Sequence, residues 1–267
     1  MNSPARDLLR QIVVISAFCF MIVAALVGTG FFGGTPVEDL QDGRLDADAS
    51  YLAPAQQAFS IWSVIYVGLF AYTVWQALPR QRSRDRQQAV GWWIAASMVL
   101  NGLWLVAAQF GTLLLTVLAI VALLIVLAIT FHRTVALPGR GVFDALLIDG
   151  VTGLHLGWVA LATVANTSAF LTQIVPASWG DAAAVWGVAV LTVVAVIGLA
   201  IGWASGWRIA PALAMSWGLA WIGVGRTVDE PPEATIGLAA FIAAAVVLVV
   251  TLVGTVIRRA EEVRNAE

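Results

Sequence analysis

The sequence predicts an all-α, polytopic integral membrane protein, a bundle of about eight transmembrane helices with both termini in the cytoplasm. Three observations support this fold class: the composition, a series of long uncharged runs and the distribution of arginine. Of the 267 residues, 60% are apolar and 11% are charged, whereas a soluble domain usually carries about 25% charged residues. The mean hydropathy of +0.89 points the same way.

Eight runs are apolar enough to cross a hydrocarbon core about 30 Å thick, which takes roughly 20 helical residues. They cover residues 11–32, 57–78, 88–109, 112–131, 143–169, 182–204, 208–224 and 235–257. The seventh run is short and the break at Phe110-Gly111 is tight, so a count of seven stays open beside eight. Arg6 and Arg10 precede the first run as in a signal peptide. That run is longer than the roughly 7–15 apolar residues of such a peptide and has no cleavage site, so we expect a retained helix.

Arginines mark one side of the predicted bundle, and the chain has no lysine. Twelve of the fourteen basic residues lie at the N-terminus, in the connections 79–87, 132–142 and 205–208, or in the C-terminal tail. Only Arg44 and Arg226 lie on the opposite side. Because connections rich in arginine stay in the cytoplasm, this pattern predicts a multi-pass protein of the cell membrane with both termini inside. Seven spans would place the C-terminal arginines outside, which favours eight.

The connection 33–56 is the only long one, and it faces the exterior in this topology. It is rich in glycine and aspartate. Long connections without secondary structure of their own are often lids or binding loops, or else disordered, and both readings stay open. The arginine run between Arg80 and Arg86 is interpreted as a topology anchor rather than as a site for lipid headgroups.

Three of the predicted helices carry polar and aromatic residues three or four positions apart, which places them on one helix face. Polar groups in hydrocarbon cost free energy unless they find partners, so these faces are expected to meet a cavity or another helix. The predicted topology puts all three in the outer half of the membrane, beneath the long loop. We therefore expect a small-molecule pocket. Its candidate ligand-binding residues are Phe59, Trp62, Tyr66, Asn101, Trp104, His155, Trp158 and Asn166.

A second reading of these residues stays open. Tryptophans at membrane interfaces form aromatic belts, and asparagines cross-link helices. The belt is preferred for the tryptophans near the inner boundary. These are Trp75, Trp92, Trp93, Trp203 and Trp207.

Two aspartates, Asp144 and Asp149, lie in the inner half of the fifth run. Ionisable groups in a span are functional candidates by default, for example as proton carriers. Asp149 is six residues from His155 and so points about 240° around the helix, away from the aromatic face. It is expected to contact another helix or an arginine such as Arg133 or Arg208. The chain contains no catalytic or metal-binding motif, so neither a catalytic residue nor a metal is predicted, and an enzyme is the less favoured reading.

Three stretches together resemble the TspO/translocator-protein family, also called tryptophan-rich sensory proteins or peripheral benzodiazepine receptors. They are Phe59-Ser-Ile-Trp62-Ser-Val-Ile-Tyr66, Asn101-Gly-Leu-Trp104 and His155-Leu-Gly-Trp158-Val-Ala-Leu-Ala-Thr-Val-Ala-Asn166. They are similar to the family's motifs on helices two, three and five. The resemblance covers residues 1–170 and implies a five-helix bundle there, with a pocket for porphyrins, sterols or benzodiazepine-like ligands capped by the loop after helix one. Residues 171–267 would add three transmembrane helices and a cytoplasmic tail.

The chain departs from that family pattern at several positions. Leu154-His155 replaces the family's Pro-Tyr pair, and Pro54 lies farther upstream than the family's proline before the second-helix tryptophan. Residues 162–172 lack the tyrosine and basic residue of a cholesterol-type motif, so sterol binding is not expected.

The resemblance implies a membrane protein that binds a hydrophobic, porphyrin-type or other tetrapyrrole ligand for sensing or transport. No resident cofactor is expected. The expected partners are membrane lipids and that ligand, without nucleic acid, and the oligomeric state stays open. A membrane-embedded enzyme acting on a lipid or porphyrin and a proton-coupled transporter are the alternatives.

Overall fold

The computed structural model describes residues 4–32, 35–41 and 43–265, and these residues contain eight α-helices and no β-strand. The helices are α1 (Pro4–Gly28), α2 (Ile61–Ala77), α3 (Asp85–Phe110), α4 (Leu113–Ala136), α5 (Val151–Ile174), α6 (Ala183–Ala204), α7 (Ile209–Val228) and α8 (Ala234–Arg264). A 3₁₀ turn, Gln56–Ser60, leads into α2, and a π-helical stretch, Asp144–Gly150, leads into α5. The predicted all-α fold with eight helices is confirmed.

Seven helical segments are long and apolar enough to cross a membrane. They are Pro4–Gly28, Gln56–Ala77, Asp85–Phe110, Leu113–Ala136, Asp144–Ile174, Ser178–Ala204 and Ala234–Arg264. The remaining helix, α7, matches the predicted short seventh run, and 11 of its 20 residues are buried. The protein is therefore a multi-pass membrane protein, while the side on which each terminus lies stays a prediction.

The chain divides into two compact units. Unit 1 comprises residues 1–45 and 62–152, and unit 2 comprises residues 46–61 and 153–267. Unit 1 thus holds α1 to α4, while unit 2 holds nearly all of α5, the last three helices and the segment that precedes α2. That a five-helix bundle ends at residue 170 stays a prediction.

Unit 1 depends on close approach between helices at glycine. A Cβ atom at Gly102 of α3 would lie 2.5 Å from Cε1 of Phe20 and 3.4 Å from Cα of Met21 on α1, so α1 comes close to α3 there and a larger residue would displace the Phe20 ring. The tight break after Phe110 does separate two helices. Thr112 is the N-cap of α4, and its hydroxyl accepts a hydrogen bond from the backbone N–H of Leu115.

In unit 2, glycines of α6 likewise allow a close approach to a neighbouring helix. Gly187, Gly198 and Gly202 face Ile236, Val247 and Thr251 of α8, so α6 lies close along α8. Two pairs of glycines four residues apart, Gly153-x-x-x-Gly157 and Gly202-x-x-x-Gly206, have a spacing typical of close-packing helix faces. Gly157 does meet the backbone of Pro211 on α7, and Gly202 meets Thr251. Gly206 instead lies in the turn after α6 with φ +69°, a conformation that glycine adopts without strain.

Candidate ligand-binding site

Four of the predicted ligand residues lie in unit 1, on α2 and α3. The rings of Trp62 and Tyr66, one turn apart on α2, have centroids 5.3 Å apart and are tilted by 38°. The hydroxyl of Tyr66 donates a hydrogen bond of 3.0 Å to Oδ1 of Asn101 on α3. The first two predicted faces are thus joined by a side-chain hydrogen bond, as expected for polar groups that a bilayer cannot satisfy.

Among these four residues, the aromatic side chains are partly accessible while the amide is buried. Asn101 is buried, whereas Trp62, Tyr66 and Trp104 are half-buried. Trp104 lies three residues after Asn101, which places both on one face of α3. Partly exposed rings beside a fixed amide–phenol pair can receive a flat apolar group and orient its polar substituents.

The other four predicted residues lie in unit 2. The ring of Phe59, in the 3₁₀ turn, meets the ring of Trp158 on α5 edge to face, with centroids 5.8 Å apart. Trp158 and His155 are each only 1% exposed, and Asn166 is also buried, whereas Phe59 is 38% exposed. Phe59 is therefore the accessible member of this group, and a ligand that contacts the other three must reach between packed helices.

Helix α7 determines how Trp158 is enclosed, which sequence reasoning missed. A Cβ atom at Gly218 would lie 3.2 Å from Cζ3 of Trp158 and would overlap the side chain of Leu161. Gly157 on α5 is equally restricted by the backbone of Pro211. Glycine on both helices therefore brings α7 against the face of α5 that carries Trp158. The small residues of α7 were the available signal.

The two halves of the long connection belong to different units. In unit 1, the Gln41 side-chain amide donates hydrogen bonds of 3.1 Å to the carbonyls of Ala108 and Gly111, where α3 ends. In unit 2, Trp217 Nε1 on α7 donates a hydrogen bond of 2.9 Å to the carbonyl of Ala58. The connection is thus held at named points. Its residues 33, 34 and 42, to which the loop prediction also applied, lie outside the described residues.

A family model described as TSPO-like protein matches residues 10–253, most of the chain. The chain belongs to the TSPO-like family. The match continues through α6 and α7 into α8, so it extends beyond the residues 1–170 on which the resemblance was recognised. Searches of curated proteins and of solved structures found no match.

Both aspartates of this TSPO-like protein are engaged by arginines from the start of α3. Asp144 Oδ2 lies 2.7 Å from Nη2 of Arg84 and also accepts a hydrogen bond of 2.8 Å from the backbone N–H of Arg140. Asp149 accepts a hydrogen bond from Nη2 of Arg86. The expected pairing of Asp149 with an arginine is confirmed, and Arg86 is a partner that the sequence did not indicate.

Arg86 connects the start of α3 to the chain around the α4–α5 connection. It is buried, and its Nε and Nη1 donate to the carbonyls of Leu137 and Asp144 at 2.9 and 3.3 Å, so one guanidinium links α3 to the chain on both sides of the α4–α5 connection. Of the arginines proposed as partners, Arg133 places its guanidinium carbon 5.0 Å from the ring centroid of Trp93. These contacts favour a structural role for the two aspartates.

Proposed function

We propose that this TSPO-like protein binds a hydrophobic, planar small molecule of the porphyrin or tetrapyrrole type within the membrane, in a sensing or transport role. The observation that carries the proposal is the hydrogen bond between Tyr66 and Asn101 beside the half-buried rings of Trp62 and Trp104. Membership of the TSPO-like family supports it, because the family resemblance implies such ligands.

The chemistry of this group suits a flat aromatic macrocycle. Each stacked or edge-to-face aromatic contact contributes about 0.5–1.5 kcal/mol beyond the area that it buries. Trp62 and Trp104 would supply such contacts, while the amide of Asn101, held by Tyr66, would orient the polar substituents of the ligand. In unit 2, Phe59 is the proposed accessible contact with the ligand. The remaining proposed ligand residues of this unit are buried: His155, Trp158 and Asn166.

The proposed location of the protein is the cell membrane. The arginine distribution supports insertion in the cell membrane with both termini in the cytoplasm. In that orientation the hydrogen bond between Tyr66 and Asn101 lies in the outer half of the bilayer. A ligand from the exterior or from the outer leaflet would reach it without crossing the cytoplasmic half.

The ligand class can be tested by titrating the protein, reconstituted in nanodiscs, with protoporphyrin IX. The absorbance of the porphyrin should be followed, since tryptophan emission would change with the variants themselves. We expect saturable binding that weakens about ten-fold in the double variant Trp62→Leu/Trp104→Leu, from the loss of two aromatic contacts. Trp186→Leu is the matched control, because Trp186 is an exposed tryptophan on α6.

Two outcomes distinguish an error in the proposed ligand residues from an error in the proposed ligand class. Wild-type affinity in the double variant would eliminate Trp62 and Trp104 as ligand residues. No saturable binding to the wild type would eliminate the ligand class. Trp158→Ala is a poor first variant, because Trp158 is buried and truncation of a core tryptophan costs about 3–5 kcal/mol of stability.

The competing functions receive less support. An enzyme or a proton-coupled transporter would use Asp144, Asp149 or His155 as an acid, a base or a proton carrier. Both carboxylates are bound by arginines. Transport without proton coupling remains part of the proposal. Porphyrin flux into protein-containing liposomes, with and without a pH gradient, distinguishes sensing, simple transport and proton-coupled transport.

A further inference from the structure

We propose that residues 46–60 form a fixed wall in unit 2 that holds Phe59 against Trp158, positioned by Trp217 and Arg226 of α7, rather than a lid that opens to admit the ligand. The role of this wall in binding rests on the proposed function. Its attachment to α7 does not, because the hydrogen bonds that hold it lie within the chain. Helix α7, for which the sequence indicated no role, thus positions this segment.

The segment is attached to α7 at three levels, in antiparallel order. Trp217 Nε1 donates to the carbonyl of Ala58 at 2.9 Å, the backbone N–H of Ala55 donates to the carbonyl of Trp221 at 3.1 Å, and Arg226 Nη2 donates to the carbonyl of Ala47 at 3.3 Å. The α7 residues span nine positions, or about 13 Å of helix. A lid hinged at one end would not be hydrogen-bonded along its whole length.

Arg226 is the charged member of these three attachments. Arg226 is 1% exposed, and its guanidinium also donates to the carbonyls of Glu230 and Pro231, at 3.1 and 3.0 Å. One buried cation therefore joins the α7–α8 turn to the start of the segment. Displacing the segment would deprive a buried charged donor of an acceptor, which costs more than the loss of a neutral hydrogen bond.

Trp217 acts beside Phe59, the ligand contact proposed in unit 2. The carbonyl that it holds belongs to Ala58, and the next residue is Phe59, whose ring meets that of Trp158 edge to face. Gly218 of α7 lies close to the same Trp158 ring. Helix α7 thus positions both partners of the Phe59–Trp158 contact, and Trp217 is a positioning residue for Phe59.

A disulfide between the segment and α7 tests whether the wall must move. A Cβ atom built at Gly225 would lie 3.6 Å from Cβ of Ala55, within the roughly 3.5–4.5 Å that disulfides span. The pair Ala55→Cys/Gly225→Cys should be made in a Cys19→Ser background, since Cys19 is an exposed thiol. We expect the disulfide to form under mild oxidation and protoporphyrin affinity to agree within about two-fold between the oxidised and reduced protein.

Two results of this experiment would overturn the proposal. Failure of the pair to oxidise would mean that the segment does not rest on α7. Binding that is abolished or slowed more than ten-fold in the oxidised protein, and restored by a reductant, would identify a moving lid.

The variant Trp217→Phe tests the positioning role, with Trp186→Phe as the matched control. Loss of one hydrogen bond should weaken protoporphyrin binding about five-fold and raise amide hydrogen exchange across residues 46–60. Exchange in α8 should not change. In the oxidised Ala55→Cys/Gly225→Cys background the affinity of Trp217→Phe should return to that of wild type, which a purely structural defect would not do.

The readouts separate this proposal from the proposed function. If wild type binds no porphyrin, the proposed function fails, while exchange and disulfide formation still decide whether the segment is fixed. If wild type binds porphyrin but Trp217→Phe matches it in exchange and affinity, the positioning role fails alone.

Discussion

The phenol of Tyr66 and the amide of Asn101 form a hydrogen bond of 3.0 Å between α2 and α3. Both residues belong to faces that the sequence marked as anomalous for a bilayer. Hydrogen bonds between transmembrane helices are measured at about 0.6 kcal/mol on average and up to about 1.7 kcal/mol. The pair is thus a modest contributor to stability, and its main effect is to hold the amide in one orientation.

The first prediction concerns this pair. A double-mutant cycle with Tyr66→Phe and Asn101→Ala should give a coupling energy of about 0.5–1.5 kcal/mol, measured as the free energy of unfolding in sodium dodecyl sulfate titrations. Additive effects of the two substitutions would mean that the hydrogen bond contributes nothing to stability.

The second prediction concerns Arg86. Because Arg86→Gln removes the buried cation that pairs with Asp149 and donates to the carbonyls of Leu137 and Asp144, it should lower the free energy of unfolding by about 3 kcal/mol or more. Arg80→Gln is the control, since Arg80 is exposed in the same connection and should change stability by less than about 0.5 kcal/mol. Equal effects of the two substitutions would contradict a structural role for Arg86.

The third prediction concerns the approach of α5 to α7. A methyl group at Gly157 would overlap the backbone of Pro211, so Gly157→Ala should destabilise the protein by about 1–3 kcal/mol. Gly180→Ala has open space around the added methyl group and serves as the control. Thermal unfolding in one detergent compares both with wild type, and an unchanged melting temperature for Gly157→Ala would show that the two helices can separate.

The fourth prediction concerns orientation. In a Cys19→Ser background, a membrane-impermeant maleimide applied to intact cells should label Arg44→Cys and not Glu262→Cys, both of which replace exposed residues. Labelling of Glu262→Cys should require permeabilised cells, because the arginine distribution places the C-terminal tail inside. The reverse pattern would overturn the predicted topology.

The helices were predictable because their signal is local. Composition and uncharged runs indicated eight helices, including the tight break between α3 and α4, where Gly111 and Thr112 interrupt and restart the backbone hydrogen bonding. Polar residues such as Asn101 were recognisable as inward-facing, since a bilayer offers them no partner. The resemblance likewise depends on residues close together in sequence.

The tertiary structure decided which residues meet. Asp149 pairs with Arg86, which lies 63 residues away in sequence, and Trp217 donates a hydrogen bond to Ala58, which lies 159 residues away. Both contacts depend on how the helices approach one another. Helical periodicity tells which residues share a face and is silent about which helix covers that face. The sequence by itself thus determined a multi-helix membrane protein of the TSPO-like family with a candidate aromatic and polar site. Only the tertiary structure placed α7 against Trp158 in unit 2, because glycine at positions 157 and 218 lets α7 come close to α5.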